Sequence, residues 1–133
     1  MIALDTNAII RVLIEDDKIQ ARTVQSIINE AEFEGRRILI LSEVIIETIW
    51  VLESVYQCDN QEISMMVENL LSAPTFFLPD SVVIRKALKQ YKKDGDFADL
   101  LIVGQAKHHK ARKLFSFDRN LQNHFPDFVT ESV

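Results

Sequence analysis

Four acidic residues stand at chemically informative places in this chain: Asp5 in IALDTN, Glu47 in VIIETIWVL, Asp99 in DFADLLIV and Asp118 in LFSFDRN. Each lies where an apolar run meets a loop or helix start, or within an apolar helix. A carboxylate loses hydration in such places, and a cation or hydrogen-bond donor must offset that loss. Four carboxylates brought together repel, so at least one would hold its proton more tightly than usual. A hard divalent ion removes the conflict. Mg²⁺ or Mn²⁺ prefers oxygen ligands, and Mg²⁺ keeps several waters beside a few carboxylates and phosphate oxygens. Such an ion generates hydroxide and stabilises charge on a phosphate under cleavage, chemistry that points to phosphodiester hydrolysis.

Each acid also has a purely structural reading. Asp5 and Asp118 follow apolar runs and suit helix N-caps. Asp99 suits the acidic partner in a capping box begun by Asp96. Glu47 has the weakest alternative, a helix-margin position or an arginine pair, because VIIETIWVL is apolar almost all round.

The elements that must position these residues are legible from periodicity. Residues 2–4 read as a buried strand, and 7–15 and 18–34 as helices, the second stopped by Gly35. Residues 38–41 read as a strand, with Ser42 as cap of a helix reaching about Tyr56. Further helices fit 60–72, 81–93 (capped by Asp80 or Ser81), 96–109 and 119–124. Short strands fit 75–78, 114–117 and 128–129. Strands separated by helices predict an α/β sandwich with a mainly parallel sheet, in one domain over 1–133. Ligands of such sheets bind beyond the carboxyl ends of the strands. Asp5 and Asp118 follow strands directly, and Glu47 sits one turn into the helix after 38–41. A helix returning to a parallel strand starts with Asp96 and Asp99 on the same edge. The relative direction of the two helices between 80 and 109 is not fixed by the sequence.

Composition sets the remaining bounds. The 133 residues are 47% hydrophobic and 26% charged, with net charge -5, which argues against generic polyanion binding. Cys58 is the only cysteine, so neither an intrachain disulfide nor a thiolate zinc site is available, as suits a reducing compartment. No apolar run approaches the roughly 18–20 residues of a membrane span. MIALDTN has no basic segment leading into a signal core, so a cytoplasmic location is expected.

Three blocks in order, LDTNAIIRVL, LSEVIIETIWVL and DFADLLIVGQAKHHKARKLFSFDRNL, resemble PIN-domain ribonucleases, specifically the VapC-type toxins of VapBC toxin-antitoxin modules. The resemblance covers essentially the whole length. It implies a three-layer α/β/α sandwich with about five parallel strands and helices on both faces. It also implies RNA cleavage dependent on Mg²⁺ or Mn²⁺, a homodimer, and inhibition by a cognate antitoxin. Residue by residue, it assigns Asp5, Glu47, Asp99 and Asp118 to the acidic metal site and Asp96 to an additional acid nearby. Asn7 becomes a polar organiser of the site, and Ser116 the hydroxyl that many relatives supply from Thr.

Substrate contacts are less marked. Arg85, Lys86, Lys89, Lys92 and Lys93 share much of one helical face and could hold phosphates, the alternative being a solvated helix with cations near its C-terminus. Arg11, one to two turns beyond Asp5, is a phosphate candidate that could instead pair with Glu15. Trp50, Tyr56 and Phe97 could stack on bases, with core packing as the alternative. Three competing functions remain. A haloacid-dehalogenase-type phosphatase would need a second Asp where Asn7 stands, and a receiver domain would need an acidic pair that is absent. A catalytically inactive PIN-like module binding RNA or protein is the non-enzyme reading.

Overall fold

A computed structural model describes residues 1–132. The elements run β1 (Ile2–Ala3), α1 (Thr6–Ile14), α2 (Lys18–Phe33), β2 (Ile38–Leu39), α3 (Ser42–Ser54), α4 (Asn60–Ser72), β3 (Phe76–Phe77), α5 (Ser81–Tyr91), α6 (Phe97–His108), β4 (Leu114–Phe115), α7 (Arg119–His124) and β5 (Val129–Thr130). Every helix and strand read from periodicity is present, with ends shifted by one to two residues in most cases. The fold is an α/β sandwich.

All strand pairings are parallel. β1, β2 and β3 form one sheet in that order, with Ile2 opposite Ile38 and Ile38 opposite Phe76. β4 and β5 form a second, with Leu114 opposite Val129. The five expected strands are therefore divided three and two among the described residues. Each strand is two residues long, so few ladder bonds hold the sheet and side-chain packing carries the architecture.

That packing explains the sequence pattern. The i, i+4, i+7 spacing of Ile45, Ile49 and Leu52 turns one face of α3 into a core that also takes Ile9, Ile38, Ile63, Val67 and Leu101. A smaller cluster of Val103, Leu121 and Val129 seats α7 and the β4–β5 pair. α6 joins the two, placing Leu100 and Leu101 in the first cluster and Val103 in the second.

Local chemistry turns the chain at two glycines, the first of them the expected helix stop. Gly35 adopts φ +66 while Arg36 N donates to Ala31 O at 2.8 Å, a left-handed stop. Gly95, at φ +108, turns the chain between α5 and α6. Those helices form an antiparallel hairpin. A Cβ on Gly104 would meet Val83, and the Tyr91 and Phe97 rings meet edge-on at 5.8 Å at the other end.

Two caps differ from expectation. Ser42 is the first residue of α3 and caps nothing, because its hydroxyl donates to Asp80 Oδ2 at 2.7 Å. Asp80 occupies the N-cap position of α5 without bonding its backbone; the carboxylate accepts from Ser42 and, at 3.4 Å, from Gln105 Nε2. A partly buried carboxylate gains more from two side-chain donors than from a single amide that water can reach. Asp80 thereby ties α3, α5 and α6 together.

Candidate active site

The acids stand at the starts of helices, and their orientation follows from capping. Asp5 Oδ1 accepts from Ala8 N at 3.0 Å, Asp96 Oδ1 from Asp99 N at 3.0 Å, and Asp118 Oδ1 from Leu121 N at 3.1 Å. The capping readings of Asp5 and Asp118 are thus correct, and Asp96 caps α6. The Asp99 side chain returns no bond to the Asp96 backbone, so the expected capping box is only half formed. The three caps do not compete with ligation. In all three the second oxygen, Oδ2, has no hydrogen bond among the described residues, so capping fixes the rotamer and leaves one acceptor free. Ser116 Oγ accepts from Asp118 N at 3.1 Å and holds the backbone of that acid, a supporting role suited to its hydroxyl.

Asp96, Asp99 and Asp118 line one cleft of about 250 Å³, with Asp94, Asn120 and His124. Burial raises the pKa of Asp99, and the neighbouring Asp96 and Asp118 carboxylates raise it further. Burial is the larger cause, and the like charges add to it. Glu47 lines an adjoining cleft of about 450 Å³ together with Glu43, Trp50, Glu53, Asp96 and Phe97. Asp96 belongs to both clefts and links Glu47 to the other acids. Asp5 lines neither and remains at the end of β1. Among the described residues no three His, Cys, Asp or Glu side chains converge closely enough to hold a metal ion. Asp96, Asp99 and Asp118 are gathered as neighbours with Glu47 adjoining, not as a closed cage.

Glu47 is exposed, contrary to the reading of an acid stranded in an apolar helix. Glu43, Glu47, Trp50 and Ser54 form the open stripe of α3, which the apolar run concealed because Ile46 and Val51 are only partly covered. Trp50 is 62% exposed beside these acids, so it is not a core residue. Phe97 is buried, and Tyr56 donates to Asp16 Oδ2 at 2.7 Å.

The other proposed residues are dispersed. Asn7 and Arg11 line a separate cleft on α1 and α2. Arg11 bonds Gln20 Oε1 at 2.6 Å and pairs with Asp16 at 3.1 Å, not with Glu15, which closes α1 in a left-handed conformation. Arg85 donates to Leu71 O at 3.1 Å and secures the end of α4. Lys86 lines a cleft between α5 and α6, and Lys89 is exposed. Sequence reasoning missed His124, whose Nε2 lies 3.5 Å from Asp94 Oδ2 inside the acidic cleft. Its place, one short helix after Asp118, was a usable signal.

The donors of the cleft are mainly carboxylate oxygens, with the His124 imidazole at its edge, a set that suits a hard divalent cation. A parallel-stranded α/β sandwich with acids at helix starts, crowded about Asp99, defines the class. The chain belongs to the PIN domain family, which it matches over residues 2–124. It is also 31% identical, over 121 residues, to a VapC ribonuclease of Aquifex aeolicus (strain VF5), an alignment covering 90% of this chain and 88% of the relative. No solved structure matches it significantly.

Proposed function

We propose that this protein is a metal-dependent endoribonuclease hydrolysing RNA phosphodiester bonds, the toxin of a type II toxin-antitoxin pair. The observation that carries the reading is the crowding of Asp99 by Asp96 and Asp118 in one cleft, within a chain 31% identical to a VapC ribonuclease. The reading includes one PIN-like domain over 1–133, Mg²⁺ or Mn²⁺ as cofactor, a cytoplasmic homodimer and a cognate antitoxin. No helix among the described residues is long and apolar enough to cross a membrane.

Asp99 and Asp118, which share one cleft, would hold the ion, with Asp96 beside them and Glu47 in the adjoining cleft; Asp5, the fourth expected ligand, stands outside both clefts. When bound, it supplies a water activated at neutral pH and neutralises charge on the phosphate. The protein's own groups do the positioning. The caps at Asp5, Asp96 and Asp118 restrain each carboxylate through one oxygen and leave the other without a hydrogen bond among the described residues. Ser116 fixes the backbone of Asp118. Asp99, half-buried, loses the most hydration and gains the most from a cation.

The test is incubation of the purified protein with RNA in Mg²⁺, Mn²⁺ or EDTA. Cleavage with the metals, none in EDTA, and loss in Asp5→Asn and Asp99→Asn with folding retained is the expected result. The other reading is a PIN-like module that binds RNA or protein without cutting, with which the open arrangement of the acids among the described residues is compatible. Tight RNA binding with no cleavage in either metal would establish that reading.

A further inference from the structure

The net charge of -5 and the acidic clefts repel a polyanion, so an RNA chain needs attractive contacts outside them. Trp50 does not supply one readily, because Glu43, Glu47, Glu53 and Asp96 surround it. β4 and the turn after it do. Alternation along this extended segment turns Leu114 inward to the small core and places Ser116 with the backbone of Asp118. Phe115 and Phe117 project to the opposite side. Their rings meet edge-on, 5.0 Å apart, and are 49% and 75% exposed. Phe117 immediately precedes Asp118, and Arg119 immediately follows it. Arg119 is exposed and has no ion pair or side-chain hydrogen bond among the described residues.

We infer that Phe117, braced edge-on by Phe115, is a base-stacking platform for single-stranded RNA at the nucleotide next to the scissile phosphate, with Arg119 contacting the adjoining backbone. The inference rests on the endoribonuclease reading and specifies its substrate class. A strand whose phosphate reaches the Asp118 side of the backbone crosses the rim at residue 117. Consecutive Cα atoms are about 3.8 Å apart, so the neighbouring base lies within reach of the ring on the other side. Stacking accepts any base, because every base has a π face, but it requires that base to be unstacked from its own helix. Arg119, two positions on and without an ion pair among the described residues, adds positive charge where the acids provide none. A protein partner on the same aromatic pair is the competing occupant, and the flanking Arg119 favours RNA.

The experiment measures KM and kcat for cleavage of a short single-stranded oligoribonucleotide in Mn²⁺, for the intact chain and its variants. Phe117→Ala should raise KM about 5- to 100-fold with kcat nearly unchanged. Phe117→Trp should restore it, and Phe117→Leu, which keeps apolar bulk without a π face, should not. An abasic nucleotide next to the cleaved bond should cost the wild type the same factor and cost Phe117→Ala nothing more. An unchanged KM in Phe117→Ala, rescue by Leu, or an equal abasic penalty in wild type and Ala overturns the platform and leaves the nuclease reading standing. So does dissociation of an oligomer by Phe117→Ala, which would assign the rings to a protein interface. Failure of the wild type to cut RNA in any metal overturns both.

Discussion

Replacing Tyr91 by Phe isolates one hydroxyl whose contribution changes sign with pH. The ring is 1% exposed and packs edge-on against Phe97 at 5.8 Å, contacts that Phe preserves. Only the bond from the phenol to Glu53 Oε2, at 2.6 Å, is lost. A hydrogen bond to a charged acceptor contributes about 1.5–3 kcal/mol. Glu53 is exposed and regains water on release, so the lower end applies, about 1.5 kcal/mol near pH 8. In a domain of this size that lowers the melting midpoint by roughly 5 °C. Burial, then the Glu53 hydrogen bond and charge, raise the phenol pKa well above its ordinary value. A raised native pKa means stability that is complete below the unfolded value near 10 and is lost as pH rises beyond it. The native state then binds one more proton than the unfolded state, so the wild type loses about 1.4 kcal/mol per pH unit relative to the variant. Its advantage should vanish near pH 11. Urea unfolding of both proteins between pH 8 and 11.5, followed by circular dichroism, measures the difference directly. Tyr56 is common to both and cancels. A difference that stays constant with pH, or that is absent at pH 8, refutes the assignment of a buried phenol bonded to Glu53.

Asp99→Asn removes a carboxylate crowded by burial and by Asp96 and Asp118, so in EDTA it should melt slightly above the wild type while abolishing cleavage; a lower midpoint in scanning calorimetry contradicts the crowding. Mn²⁺ at about 100 times its dissociation constant should stabilise the wild type by about 2.7 kcal/mol and Asp99→Asn far less, read as thermal shifts. Asp80→Ala strands the buried Ser42 hydroxyl and unties α3 from α6, at about 1–3 kcal/mol in urea unfolding, and should reduce cleavage because those helices carry Glu47 and Asp99. Gly104→Ala places a Cβ 2.9 Å from Val83 Cγ1, on a stiff, buried, β-branched side chain. Overpacking of about 1–3 kcal/mol should exceed the helix-propensity gain of about 1 kcal/mol, and Val83→Ala should recover part of the loss in the double variant.

The order and type of the elements were legible in the sequence because each follows from local pattern. Ile45, Ile49 and Leu52 repeat at helical spacing, and Gly35 supplies the left-handed stop. The acids were legible as well, since a carboxylate after a short apolar strand announces a strand end and a cap together. Asp96 and Asp118 serve as caps and still present a free oxygen. Tertiary structure alone decided three things. The antiparallel pairing of α5 with α6 depends on Val83 meeting Gly104, a contact across 21 positions that no periodicity encodes. The exposure of Glu47 and Trp50 depends on which side of an almost wholly apolar helix finds a neighbour. The side-chain bonds of Asp80 to Ser42 and Gln105 override a local cap because both donors arrive from distant segments. Local pattern fixes the conformation of a segment, whereas charge crowding, exposure and long-range hydrogen bonds belong to the packed chain.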